Sequence, residues 1–563
     1  EVVRLLVQEG ELSSDESTVN RESWTVRIPE GVREVIGRRL NQLSARCNGV
    51  LTVASVVGRE FDLQQMDALT DDLTEDMLLD VLEEGLDARV IEELPTAVGL
   101  YQFTHALIQE TLTEELSLTR RVRLHARIAE TLERMYESEI ERHAAELALH
   151  FAQAETMLGA DRLAKYSLMA GNTALENLAY EDALELFERA QTALENRPDD
   201  ILMADALAGV GKAQLAALAD IEYPVALRNF IRAFDIYVAH ENVARAIEVA
   251  SISFFVAPGW LQEAEGMLKR ALSLAPPDSV QEGRIQSRYA MVRGREFSDL
   301  PSAEKALARA EEIAGNHNDA DLHLFNLSNR IRIYMHHRKH EDAMSAGREL
   351  IELSKNSGDK HLIYYGHSDN VLGYIYTGAP DRAREHLRIS MELAENLGQH
   401  SYIVSSLVAG VNLAANLGDW DDVMTLTERA TAMSPGDGRA LVVCAIAVGQ
   451  IGDADDVKNY TDRMPEIQEQ QQRLGLSTAS ATSRTARVAG NIAYIFNDDS
   501  CLDEVSQWAD EAFADPVQSV GEYLIAATGM AFAMAASNSY EDAGRYYEII
   551  KPHRGSVSDY VQL

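Results

Sequence analysis

The chain has 563 residues, 46% hydrophobic and 25% charged, with 13 prolines: a globular balance, too poor in proline for long disordered linkers. Its 90 acidic against 51 basic side chains give a formal net charge of -39, a surface that repels phosphate backbones and anionic lipid and so argues against nucleic acid or membrane as a partner. Cys47, Cys444 and Cys501 are too far apart for a CxxC pair; they read as small buried apolar residues of a chain kept in a reducing, cytoplasmic compartment.

The chain opens on Glu1 inside an amphipathic pattern (Val2, Val3, Leu5, Leu6), so residues 1–23 are expected to be the end of an upstream helix and an acidic loop, Gly10 to Glu22. Residues 24–118 read as a compact domain. IPEGVREVIGRRLNQLS starts a helix at Pro29 with Val32, Ile36, Leu40 and Leu43 on one face, and NGVLTVASVVG gives a second. A third runs through MLLDVLEEGLDARVI, with Asp72 as its expected N-cap and Glu75 three residues on. Two strand-like pieces follow, VIEEL and the start of YQFTHALIQETLTEEL, so the segment predicts a small winged helix. Residues 119–160 predict a helical linker with Leu124, Ile128, Leu132 and Met135 in register.

The rest, 161–563, carries a triad of small, large and small residues at spacings of four then three. Ala183, Phe187 and Ala190 form the first good copy; Ala226, Phe230 and Ala233 follow, then Ala264, Leu268 and Ala271, then Ala303, Leu307 and Ala310. Weaker copies start at Ala343, Ala383 and Val423, and Val505 and Ala543 begin two more. From Ala264 the starts come every 39 or 40 residues, which predicts an array of helical hairpins. Small residues let two antiparallel helices approach, and the large one fills the gap to the neighbouring hairpin. Gly171, twelve residues before Ala183, and Pro276, twelve after Ala264, match the tetratricopeptide pattern, as do Tyr334 and Tyr374, each nine before its repeat's alanine. The fold class predicted is therefore all-α: a tetratricopeptide-like superhelix of about 40-residue repeats behind a small winged-helix domain.

IPEGVREVIGRRLNQLSARCNGVLTVASVVGREFD and YQFTHALIQETLTEELSLTRRVRLHARIAETLE closely resemble the winged-helix and linker segments of signal-transducing ATPases with numerous domains. That family includes large ATP-binding LuxR-type regulators related to the maltose-regulon activator, and class III cyclases with an ATPase and repeat tail. The resemblance implies an ATPase domain upstream, binding ATP or ADP with Mg, on which the winged helix packs as a lid in cis. It implies repeats that receive a small inducer or a protein partner, and no cofactor in this chain. A constitutive protein-binding scaffold, or the regulatory tail of an adenylate or guanylate cyclase, are the alternatives.

No catalytic set is found. ALAGVGKA, Ala206 to Ala213, is the nearest string to a phosphate loop, but alanine stands where the first glycine and the Ser or Thr belong, so Gly211 and Lys212 read as helix residues. His143 and His150 are two helical turns apart, too far to share a metal, and adjacent His336 and His337 point apart; all four read as solvated or core-edge histidines, with no metal site. Arg38, Arg39, Arg120, Arg121 and Arg123 are expected to face the missing ATPase domain rather than DNA. The recognition surface expected is the first-helix face of the array: Arg288, Arg295, Phe325, Arg332, His336, Tyr365, Tyr376, Asn412 and Asn416. Arginines beside aromatics can hold an anionic or peptide ligand.

Overall fold

The computed structural model describes residues 39–70, 73–217, 223–252, 262–295, 299–337, 339–357, 359–434, 478–497, 502–514 and 520–551, with isolated positions between them. The expected opening helix, the acidic loop and most of the Pro29 helix lie outside these residues, as do Asp72, Cys444 and Cys501. The chain divides into two compact units, Glu1–Gly159 and Ala160–Leu563.

In the first unit α1 (Ala45–Val57) is capped by Ser44, which accepts from Cys47 N at 3.0 Å. It leads into β1 (Glu60–Asp62) and α2 (Leu63–Leu69), whose capping box pairs Asp62 with Gln65. After α3 (Glu75–Asp87) come β2 (Ile91–Glu93) and β3 (Leu100–Phe103), which close an antiparallel sheet of order β1-β3-β2. The sequence had predicted two strands. The third, β1, is three residues long, too short to show an alternating pattern, yet Phe61 pairs with Tyr101 and stacks on it at 5.9 Å. Likewise Thr74, not Asp72, caps α3, accepting from Met77 N at 3.4 Å. The unit continues through α4 (Ala106–Glu114), α5 (Leu118–Met135), a short 3-10 turn, α6 (Ala144–Gln153) and α7 (Glu155–Leu158).

The second unit is a tetratricopeptide-like array of antiparallel hairpins, each a first helix and a second one. The hairpins are α8 (Ala160–Glu176) with α9 (Tyr180–Ala193), α10 (Ile201–Ala217) with α11 (Tyr223–Ala239), and α12 (Val243–Ala250) with α13 (Gln262–Leu274). Next come α14 (Val280–Arg295) with α15 (Leu300–His317), α16 (Ala320–His336) with α17 (His340–Ser357), α18 (Lys360–Tyr376) with α19 (Pro380–Leu397), and α20 (His400–Leu417) with α21 (Trp420–Met433). Further along, α22 (Thr478–Phe496) pairs with α23 (Leu502–Ala514) and α24 (Val520–Ala536) with α25 (Tyr540–Ile550).

Every triad falls on a second helix, and the strong copies are buried throughout: Ala183, Ala190, Ala226, Ala233, Ala264, Ala271, Ala303 and Ala310 are at most 1% exposed, and Phe187, Phe230, Leu268 and Leu307 at most 2%. Burying each Phe contributes roughly 1.5–3 kcal/mol. The copy at Ala543 departs from this, for Tyr547 on α25 is 48% exposed. An acid caps each of two first helices: Asp319 accepts from Leu322 N on α16 and Asp359 from Leu362 N on α18. Gly398 and Gly418, at φ +63° and +73°, end α19 and α20 in the left-handed conformation that glycine adopts without a Cβ clash.

Successive first helices also touch one another, as α14 touches α16 and α16 touches α18. The array then closes on itself. α10 packs against α20, and the Tyr180 hydroxyl at the start of α9 donates to the Leu397 carbonyl at the end of α19, 3.3 Å away across 217 residues of sequence. No helix among the described residues is long and apolar enough to cross a membrane; the apolar run from Tyr523 lies in α24, packed on α22, α23 and α25.

Candidate functional site

On α16, Phe325, Asn329, Arg332 and His336 follow at spacings of four, three and four, which places them on one helical face. Tyr365, Asp369, Leu372 and Tyr376 repeat the spacing on α18, Ser405, Ala409, Asn412 and Asn416 on α20, and Arg284, Arg288, Met291 and Arg295 on α14. Because these helices are neighbours, the faces join.

The rungs between them alternate charge and ring. The Arg284 guanidinium lies 5.9 Å from the Phe325 centroid, and that of Arg332 lies 3.8 Å from Tyr365, in cation–π range. Asn329 donates from Nδ2 to Ser287 Oγ at 3.0 Å, tying α16 to α14. Arg332 Nε stands 4.0 Å from Asp369 Oδ2 on α18. Tyr402, on α20, donates its hydroxyl to that of Tyr365 at 2.8 Å and stacks on Tyr364 at 4.1 Å, nearly parallel.

Three guanidinium groups are thus taken out of water. Arg288 is 2% exposed, Arg332 4% and Arg295 7%. Burial, and then repulsion from Arg332, pulls the Arg288 guanidinium down to about 10. Burial works against Arg332 too, but Tyr365 and Asp369 hold it above its ordinary value. Burial lifts the Asp369 carboxyl to about 6 against the pull of Arg332 and Arg295.

Of the nine residues the sequence singled out, Arg288, Arg295, Arg332 and Tyr365 converge, with Phe325 one rung away over Arg284. His336, half-buried, meets the edge of His337, whose Nε2 donates to the Gly294 carbonyl at 2.7 Å. Asn412 and Asn416 each donate one N–H of the amide to the carbonyl four residues back in α20, Val408 at 3.0 Å and Asn412 at 2.8 Å. The side chain of Tyr376 lies outside the described residues. Asp369, Asn329 and Tyr402 were missed, although Asp369 stands four residues after Tyr365, one turn along the same face.

The near phosphate loop is helix. Gly209 and Gly211 of α10 face the Phe187 and Phe230 rings, and Lys212 Nζ pairs with Glu248 at 3.0 Å on the surface. Arg39, Arg120 and Arg123 are exposed, Arg121 is half-buried beside His125, and Arg38 lies outside the described residues. His150 is not a core-edge residue as expected: it is fully buried, and its Nδ1 lies 2.9 Å from His125 Nδ1, a pair formed across α5 and α6. Cys47 is buried, and burial and then Glu84 push its thiol up to about 12, so it is inert.

No protein-family model matches the chain, and no curated protein matches it in sequence. Among solved structures it is similar to a signal-transduction ATPase with numerous domains carrying a tetratricopeptide repeat sensor, from Pyrococcus horikoshii: 14% identity, TM-score 0.31, covering 96% of this chain. It is similar to aspartyl phosphate phosphatase F from Bacillus subtilis, at 13% identity and TM-score 0.39 over 72% of this chain and 97% of that one. A Rap protein complexed with competence and sporulation factor gives 12% identity and TM-score 0.37 over 78% and 99%. The chain spans 65% of the length of the first of these. The assignment of the fold rests on the hairpins themselves.

Proposed function

We propose that this chain is a regulatory binding arm, whose ligand or protein partner sits against the joined face of α14, α16 and α18. The observation that carries the reading is the burial of Arg288, Arg295 and Arg332 on one joined face, beside Asp369 and the Tyr365 ring. Buried charge is expensive, and an array needing only stability is served as well by apolar residues of similar size. In the setting that the sequence resemblance implies, the first unit is a winged-helix lid on an upstream ATPase domain, and the arm biases that domain between two nucleotide states. Such a shift requires the bound ligand to favour one state over the other.

The test is a thermal-shift screen of metabolites and oligopeptides against the full chain and Arg332→Ala. At least one compound should raise the melting temperature of the parent and not of the variant. A screen in which every stabiliser acts equally on both removes this face as the binding site.

A further inference from the structure

The cation-over-ring rung of α14, α16 and α18 recurs later in the array. Arg487, on α22, holds its guanidinium 4.8 Å from the Phe532 centroid on α24, the first helix of the following hairpin. The two backbones meet closely at Gly490 and Gly529. Arg487 is 3% exposed, and its Nη1 has no hydrogen-bond partner among the described residues. Burial alone pulls the guanidinium down to about 10, with no carboxylate among the described residues acting on it. The ring attracts the charge but takes up none of the in-plane N–H groups, so the contact does not replace a hydrogen-bond acceptor.

Asn491 and Tyr494 follow Arg487 at spacings of four and three, on the same helical face. Asn491 is buried, whereas Tyr494 is 52% exposed and its ring lies 5.3 Å from that of Phe532. A buried cation, a half-buried ring and an exposed ring thus lead from the helix crossing to the surface. Seven residues of helix, from Arg487 to Tyr494, span roughly 10 Å.

We infer that this line is a second binding site, for a small monocarboxylate with an apolar or aromatic body: the carboxylate meets Arg487, with Asn491 beside it, and the body lies along Phe532 and Tyr494. A carboxylate presents two oxygens in one plane, which the guanidinium fork matches with paired N–H donors. It brings one negative charge to one buried positive charge, whereas a phosphate monoester carries about 1.5 to 2 at neutral pH and leaves negative charge buried. A helix crossing that needed only stability is served as well by an apolar side chain of similar length. No residue of the α14, α16 and α18 face takes part, so this site stands or falls separately from the one proposed there.

The test is isothermal titration of the full chain with 3-phenylpropionate, alongside acetate for the headgroup, 3-phenylpropanol for the body and phenyl phosphate for a dianion. 3-Phenylpropionate is expected to bind more tightly than acetate or phenyl phosphate, and 3-phenylpropanol not to bind. Arg487→Gln is expected to weaken 3-phenylpropionate about tenfold or more, the loss of a charge-assisted pair of hydrogen bonds. Tyr494→Ala, which removes a mostly exposed ring, is expected to weaken it about threefold, and it carries the test if circular dichroism shows Arg487→Gln unfolded. Failure of 3-phenylpropionate to bind the parent overturns the inference, and so does an affinity left unchanged by every variant that folds. Tighter binding of phenyl phosphate than of 3-phenylpropionate overturns the assignment of a monocarboxylate.

Discussion

The Phe187 ring occupies the space that a side chain on Gly209 would need: a Cβ there would stand 2.3 Å from Phe187 Cδ1. Gly171, on the first helix of the hairpin that carries Phe187, faces that ring too, and a Cβ there would stand 2.8 Å from Cε1. The large residue of the triad is therefore a wedge between two first helices, and the glycines are the slots that receive it. Gly209→Ala and Ala183→Leu should each destabilise the array by roughly 1–3 kcal/mol through overpacking. Urea denaturation measures this, and unchanged midpoints for both variants would refute the register.

A more severe effect is expected at Gly490, where the neighbour is backbone and has no rotamer to yield. A Cβ there would stand 2.0 Å from the Gly529 carbonyl oxygen, at the crossing of α22 and α24. Gly490→Ala should cost more than about 4 kcal/mol, in the range reserved for gross structural conflict. Soluble Gly490→Ala protein that melts with the parent would show that these two helices cross elsewhere.

The chain should turn over no ATP above background, and Lys212→Ala should change nothing in that assay. Lys212 meets Glu248 with both side chains well exposed, so its loss should move stability by only about 0–1 kcal/mol. ATP hydrolysis abolished by this substitution would restore the phosphate-loop reading.

The buried His125–His150 pair predicts a pH dependence of known sign. Burial holds both rings at about 4, against 6.5 for an ordinary histidine, with Arg121 adding to the effect at His125 and His125 at His150. As pH falls below 6.5 the unfolded chain takes up these protons while the folded one refuses them until about pH 4. Stability around α5 and α6 is therefore complete above 6.5 and is lost as pH falls toward 4. Hydrogen exchange in those two helices, corrected for the intrinsic rate, should accelerate across that window, and His125→Gln should flatten the trend. An equal slope in the variant would assign the dependence to other groups.

Tyr180→Phe removes the hydroxyl that reaches Leu397 and leaves the ring in place. The expected cost is about 0.5–1.5 kcal/mol, with faster amide exchange confined to the last turn of α19 and the first of α20. Exchange that rises evenly through the array, or nowhere, would show that this bond does not hold the turn closed.

How far the sequence reached follows from the range of each signal. The triads were legible because small and large residues at four-then-three spacing are a local requirement of helix pairing, and all of them lie on second helices. Arg288, Arg332 and Tyr365 were legible for the same reason, being set by position within one helix. Their convergence was not, since Arg332 meets Tyr365 through the stacking of separate hairpins. Asn412 shows another limit: an asparagine can bond its own helix, as this one does at the Val408 carbonyl, and position alone does not say so. The strand Glu60–Asp62 was missed because a strand this short is defined by its partner at Leu100–Phe103 and not by its own pattern.

The bond between Tyr180 and Leu397 also bears on how the array comes apart. Hairpins that touch only their neighbours unravel from either tip, each losing one interface at a time. Here hairpins from distant parts of the sequence hold each other, so fraying at the first hairpin must break a contact that also restrains α19 and α20. Melting of the segment from Ala160 to Leu417 should be concerted, and its refolding slow, because that contact can form only after a loop of more than two hundred residues has been ordered.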